Sequence, residues 1–145
     1  MRENSLRADQ LILPVFVEEG VAAPVPIASM PGVVRHPEAA LGEVVARARD
    51  NGIGAVMLFG VSHHKDAFGS DTWNPDGLMA RMIRRAKQAA PDMLVISDNC
   101  FCEYTGHGHC GVVAGEQVQN DATLENLVRQ ALTAAHAGVD MVAPS

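Results

Sequence analysis

Cys100, Cys102 and Cys110 are the only three cysteines in 145 residues, and all fall in one segment, Asp98-Asn99-Cys100-Phe101-Cys102-Glu103-Tyr104-Thr105-Gly106-His107-Gly108-His109-Cys110-Gly111. An odd, clustered set is a poor disulfide framework and suits a soft divalent ion. If strand conformation runs through Asp98, Cys100 and Cys102, two-residue alternation puts the three on one side, with Cα atoms roughly 7 Å apart per pair. Thiolates sharing one Zn²⁺ sit roughly 3.8 Å apart, so modest side-chain convergence closes the gap. Cys110 has to be turned back to the same point, and Gly106, Gly108 and Gly111 give the backbone the freedom to do it. Three thiolates leave one tetrahedral position open, the arrangement of a zinc that binds water or substrate and acts as a Lewis acid. The plain alternative is three reduced, buried thiols. His107 or His109 could replace one sulfur, but a histidine in a glycine-rich loop more often bonds backbone or orients a neighbour. Gly106–Gly111 also matches G-x-G-x-x-G, yet opens no helix, and the dinucleotide reading fails on that context.

Four apolar runs, Leu11–Val17, Ile53–Phe59, Met93–Ser97 and Val139–Ala143, are too short for helices and read as strands buried on both faces. Helical patterns lie between them. The first opens at Pro37, carries Leu41, Val44, Val45 and Ala48 on one stripe, and stops at Asn51-Gly52. The second has Asn74 as N-cap, Pro75 at its first position, a stripe of Leu78, Met79, Met82, Ile83 and Ala86, and Pro91 as its stop. The third starts at Asp121, carries Leu124, Leu127, Val128, Ala131, Leu132 and Ala135, and ends at Gly138. Arg81, Arg84, Arg85 and Lys87 read as the wet face of the second helix. His63 and His64 read as a solvated loop on the rim, with a substrate lid as the alternative.

The order β-α-β-α-β-α-β with right-handed crossovers fits either a doubly wound sheet or an arc of a (β/α)₈ barrel, and spacing leaves the choice open. Four strands are half of such a barrel, which takes about 250 residues. The sequence stops at Pro144-Ser145 just after the fourth strand, so the expectation is an incomplete chain or one that depends on a partner, with two exposed sheet edges and a wetted lumen face. The connection Asp98–Asn120 is far longer than the usual two to six residues, and long loops at the C-terminal ends of parallel strands are where sites are built.

Composition removes other classes. With 17 acidic against 11 basic residues, net charge −6 and one Trp and one Tyr, the chain lacks the basic, aromatic footprint of nucleic-acid binding, and an anionic membrane surface is disfavoured. The longest uncharged apolar stretch, Gly52–Val61, is about half a membrane span, the N-terminus has no apolar signal core, and reduced cysteines suit the cytoplasm.

At Asp98–Gly111 the sequence resembles the porphobilinogen synthase (5-aminolevulinate dehydratase) family in its cysteine-rich, zinc-dependent, bacterial form. Leu13–Val17, Met30–Val33, Phe59–His64, Asn120–Leu127 and Val142–Ser145 resemble further family segments in family order. The resemblance implies a (β/α)₈ barrel, of which this chain would be the N-terminal half as a single domain. The reaction it implies is the condensation of two 5-aminolevulinate molecules into porphobilinogen, with loss of water, for tetrapyrrole and haem synthesis. It further implies that Cys100, Cys102 and Cys110 hold the catalytic zinc, that Asp98 is an active-site aspartate, and that Ser145 lines the substrate pocket. Family members assemble as octamers and form Schiff bases through two lysines on later strands; Lys65 and Lys87 match neither. The isolated chain is therefore expected to be inactive, since a lysine amine is what makes the substrate ketone electrophilic. A non-catalytic zinc-binding half-barrel that pairs with itself or a partner half is the alternative. A small zinc hydrolase is weaker, with only Asp98, Glu103 and His109 to serve as base.

Overall fold

The computed structural model describes residues 4–145. In chain order the elements are β1 (Ile12–Glu18), β2 (Val25–Pro26), β3 (Val34–Pro37), α1 (Leu41–Asp50), β4 (Ala55–Val61), α2 (Leu78–Ala89), β5 (Leu94–Asn99), β6 (Val113–Ala114), β7 (Gln117–Val118), α3 (Asn120–His136) and β8 (Met141–Pro144). The main sheet has the order β2-β3-β1-β4-β5-β8, and β1, β4, β5 and β8 are parallel neighbours in sequence order. A doubly wound sheet reverses direction at a switch point, whereas successive right-handed crossovers without reversal put every helix on one face and curl the sheet into a barrel arc. The four expected strands thus appear in singly wound order.

That face carries the core. Val15 and Val17 of β1, Val56 and Leu58 of β4 and Val95 of β5 alternate onto it and meet Leu41, Val44 and Val45 of α1 and Leu78, Met82, Ile83 and Ala86 of α2, all buried. Each of the Val, Leu, Ile and Met side chains contributes about 1.5–3 kcal/mol on burial. The intervening residues Phe16, Met57 and Phe59 face the helix-free side and are half-buried, with Phe16 and Phe59 stacked at a centroid distance of 4.9 Å. On β1 the helix-free face is only partly covered, whereas Val95 and Ile96 of β5 are both buried, so the both-face expectation holds at the centre of the sheet and fails toward β1.

Four further local differences appear. The helix expected from Asn74 begins at Leu78, because Asn74 forms a turn instead: its side-chain oxygen accepts from Asp76 N and its carbonyl from Gly77 N. The first N–H of α2 donates to the buried Asp71 carboxylate at 3.2 Å, so the capping oxygen comes from seven residues upstream. Pro37 closes β3, and a short 3₁₀ turn, Glu38–Ala40, leads into α1. The β2–β3 hairpin, which the sequence reading missed, pairs β3 in parallel with Phe16–Glu18 of β1, so one of the two edges expected to be free is partly covered. On α3 the expected apolar stripe is mostly uncovered: Leu124, Val128 and Leu132 are exposed and the buried residues are Gln130 and Ala134. Among the described residues no helix is long and apolar enough to cross a membrane.

Candidate metal centre

Strand β5 delivers the site. Ser97 and Asn99 are fully buried on the helix side, where Ser97 Oγ donates to Asn99 Oδ1 at 2.7 Å, so alternation turns Asp98 to the helix-free face. Asp98 pairs in register with Ala143 of β8, and the Ser145 N–H donates to the Asn99 carbonyl at 3.2 Å, which sets Ser145 beside the tip of β5.

The chain does not stay extended past Cys100. Tyr104 N and Thr105 N both donate to the Phe101 carbonyl, at 2.8 and 2.9 Å, closing a tight turn around Cys102. The thiols converge nonetheless. Cys100 Sγ lies 3.4 Å from Cys102 Sγ and 3.1 Å from Cys110 Sγ, and among the described residues these three form the one group of His, Cys, Asp or Glu donors close enough to share an ion. The expected grouping holds, but a turn rather than strand alternation produces it. Cys110 returns through a glycine-rich bend in which Gly108 has φ +74°. Gly111 has φ +154°, and a Cβ there would lie 2.6 Å from Thr123 Oγ1, so only glycine lets the loop close on the start of α3. Beyond it β6 and β7 form a small hairpin that the sequence reading also missed.

The loop is held from two sides. It is bridged to the β4–α2 connection, where Asp66 N donates to the Tyr104 carbonyl at 3.3 Å and Gly106 N to the Asp66 carbonyl at 2.9 Å. From α3, Gln130 Nε2 donates to the Cys100 carbonyl at 3.2 Å. The buried Phe101 ring meets Trp73 edge-on at 6.3 Å.

The donor set fits a soft divalent cation. Without one, burial first, and then the hydrogen bond and charge of Cys100, push the Cys102 thiol up to about 12. The hydrogen bond with Cys100, followed by burial, pushes Cys110 up as well. Cys102 and Cys110 therefore resist losing their protons to water, and a bound metal reverses that preference. The Asp98 carboxyl is also held above the usual carboxylate range, mainly by burial and then by the Glu103 charge. The His107 ring is engaged elsewhere, its Nε2 lying 3.2 Å from the Ala67 carbonyl and its Nδ1 accepting from the His109 backbone N–H, and neither loop histidine joins the cluster of three sulfurs.

Sequence reasoning missed a second polar assembly. Arg81, read as solvated, reaches Glu38 at 3.0 Å and Glu19 at 2.9 Å, and these carboxylates, Glu38 foremost, hold it more firmly charged than a free guanidinium. Glu19 also accepts from His63 N, while Ser62 Oγ donates to the buried Asp71 at 3.0 Å. His63 and His64 are exposed beside Glu18 and Glu19. Nothing in local spacing marks these partners, since Glu38 and Glu19 lie 43 and 62 positions from Arg81.

The family model described as delta-aminolevulinic acid dehydratase matches residues 1–145. The chain belongs to this family. It is 54% identical over 143 residues to the delta-aminolevulinic acid dehydratase of Escherichia coli K12, covering 99% of this chain and 44% of that protein. It is 43% identical over 145 residues to that of Ruminiclostridium josui, covering 71% of the relative. A crystal structure of the Toxoplasma gondii family member, porphobilinogen synthase in complex with its product porphobilinogen, superimposes with a TM-score of 0.93 at 40% identity over 99% of this chain and 42% of that one. The chain thus spans less than half the length of the Escherichia coli and Toxoplasma dehydratases, and its singly wound sheet is part of their (β/α)₈-barrel fold.

Proposed function

We propose that this chain supplies the metal-binding N-terminal half of a single (β/α)₈-barrel domain in a delta-aminolevulinic acid dehydratase, a lyase condensing two 5-aminolevulinate molecules to porphobilinogen for haem synthesis. The convergence of three sulfurs at 3.1 and 3.4 Å just past the tip of β5 carries this reading. Cys100, Cys102 and Cys110 would hold Zn²⁺, which supplies Lewis-acid polarisation of a substrate oxygen or nitrogen. Asp98, on the strand that leads into the cysteine loop and raised by burial and by Glu103, can hold or accept a proton at its carboxylate. Ser145, hydrogen-bonded through its backbone to the tip of β5, would contribute to substrate binding. Reduced thiols support a cytoplasmic setting, and the homo-oligomer implied by the family likeness is the assembly expected of the whole protein.

Amine catalysis is the part this chain does not provide. Lys65 pairs with Glu103 at 3.7 Å, and Lys87 is held by Asp140 at 3.0 Å and by the Met93 carbonyl at 3.1 Å. An ammonium held in an ion pair is a poor nucleophile for a Schiff base. Zinc analysis after dialysis is expected to give about one ion per chain, and none in Cys102→Ser; equal zinc in the two proteins would overturn the ligand set. The 145-residue protein supplied with 5-aminolevulinate and zinc is expected to yield no porphobilinogen. Turnover abolished by Lys65→Ala or Lys87→Ala would overturn the assignment of amine chemistry to residues outside it.

A further inference from the structure

Tyr104 is 3% exposed, and its hydroxyl oxygen is buried without a hydrogen-bond partner. An unsatisfied buried hydroxyl costs free energy, so its position calls for another reason. The ring ends against Gly60 of β4. A Cβ on Gly60 would overlap the Tyr104 hydroxyl oxygen outright, while its next neighbours, Leu78 Cδ2 and Met82 Sδ of α2, would be at 3.2 and 3.3 Å. Gly60 sits in regular strand with no positive φ, so it is glycine for the space and not for the backbone. The ring fills that space like a peg, and the peg belongs to the turn that carries Cys102. Tyr104 N closes the turn on Phe101, and the Tyr104 carbonyl takes the bridging bond from Asp66.

We propose that Gly60 and Tyr104 form a buried lock between β4 and the cysteine loop, and that this lock sets the position of the Cys102 sulfur relative to Cys100 and Cys110. Tyr104 is a positioning residue: it touches no reacting group and acts through the turn. The inference rests on the three cysteines being metal ligands. A ligand set has to be held within about 0.5 Å to bind well, and loss of outer support typically costs about 10–100-fold in metal affinity.

The lock has a specific genetic signature. Gly60→Ala is expected to weaken zinc binding, measured by chelator competition on purified protein, by about tenfold or more. Tyr104→Phe removes only the oxygen that the new methyl would strike, so alone it leaves affinity within about threefold. Combined with Gly60→Ala it restores most of the loss, because the remaining neighbours are flexible side-chain ends. Tyr104→Ala, which empties the socket, loses about as much as Gly60→Ala. A metal-free readout runs in parallel: Cys100, 7% exposed, is expected to react faster with a thiol reagent in Gly60→Ala and Tyr104→Ala and at the native rate in the rescued double variant. Native affinity and thiol reactivity in Gly60→Ala, or a defect that Tyr104→Phe leaves uncorrected, would overturn the lock. If Gly60→Ala does not fold, Tyr104→Ala and the double variant decide: native zinc affinity in Tyr104→Ala, or a double variant that also fails to fold, overturns it. Cys102→Ser separates the two levels. If it keeps its zinc, the metal-site reading fails; if it loses zinc while Gly60→Ala keeps native affinity, only the lock fails.

Discussion

Helices α2 and α3 both repeat apolar residues at three- and four-residue intervals, but α2 buries Leu78, Met79, Met82, Ile83 and Ala86, whereas α3 leaves Leu124, Val128 and Leu132 at 50, 59 and 54% exposure. The cause is position in the sheet. Helix α2 lies over β4 and β5, two strands paired on both sides, and packs beside α1 and α3. Helix α3 lies over β5 and the edge strand β8 and has α2 on one flank. A barrel helix needs a neighbour on each side to bury a stripe of this width. Periodicity therefore tells which face is apolar, and the neighbouring elements decide whether it is covered.

The largest effects are expected where that cover is complete. Met82→Ala and Ile83→Ala should each destabilise by about 2–5 kcal/mol, read as a shift in urea midpoint at constant slope. The same truncation at Leu132 should cost less than about 1 kcal/mol, because little area leaves water there. Equal losses at Met82 and Leu132 would show that α3 is as enclosed as α2 and would end the comparison.

Gln130 sharpens it from the other direction, being the polar residue that α3 does bury. Its amide donates to the Cys100 carbonyl while Gln130 Oε1 is buried without a partner. Gln130→Leu removes both the bond and the orphaned oxygen, so the stability change should stay near 1 kcal/mol. The loop at Cys100 should loosen all the same, seen as faster amide exchange at Phe101–Thr105 by hydrogen-exchange mass spectrometry. Native exchange there would mean that α3 gives the cysteine loop no support.

These contrasts also show what could be read from residue order. The strands at Leu11, Ile53, Met93 and Val139 were legible because each is an apolar run too short for a helix, and the stripes of α1 and α2 because their partners are the strands directly before and after them. The cysteine cluster was legible from spacing, although a turn at Phe101 rather than strand alternation brings the sulfurs together. The socket at Gly60, the cap from Asp71 and the ion network of Arg81 were not, since each joins residues that only the folded chain makes neighbours. The cover of α3 was not legible either, because an apolar stripe carries no information about what lies against it.

The edge of the sheet has its own tie, and it titrates. Asp140 accepts from Val95 N at 2.8 Å and from Lys87 at 3.0 Å, joining β5 and α2 to the start of β8. Partial burial raises the Asp140 carboxyl, but the Val95 N–H and then Lys87 outweigh it and leave the group below the ordinary carboxylate range. A carboxyl lowered on folding contributes stability that is fully present above its unfolded pKa, about 3.9, and is lost as pH falls through the lower folded value. The side chain is 38% exposed, so screening keeps the contribution under about 1 kcal/mol. Asp140→Asn should therefore be slightly less stable than the native protein at pH 7, and the difference should shrink on acidification below about pH 4. A difference that is constant from pH 7 to pH 3 would mean that the amide's altered hydrogen bonding, and not the charge, accounts for the loss. A difference that grows on acidification would mean that folding raises the Asp140 pKa, so that burial outweighs the Val95 N–H and Lys87 together.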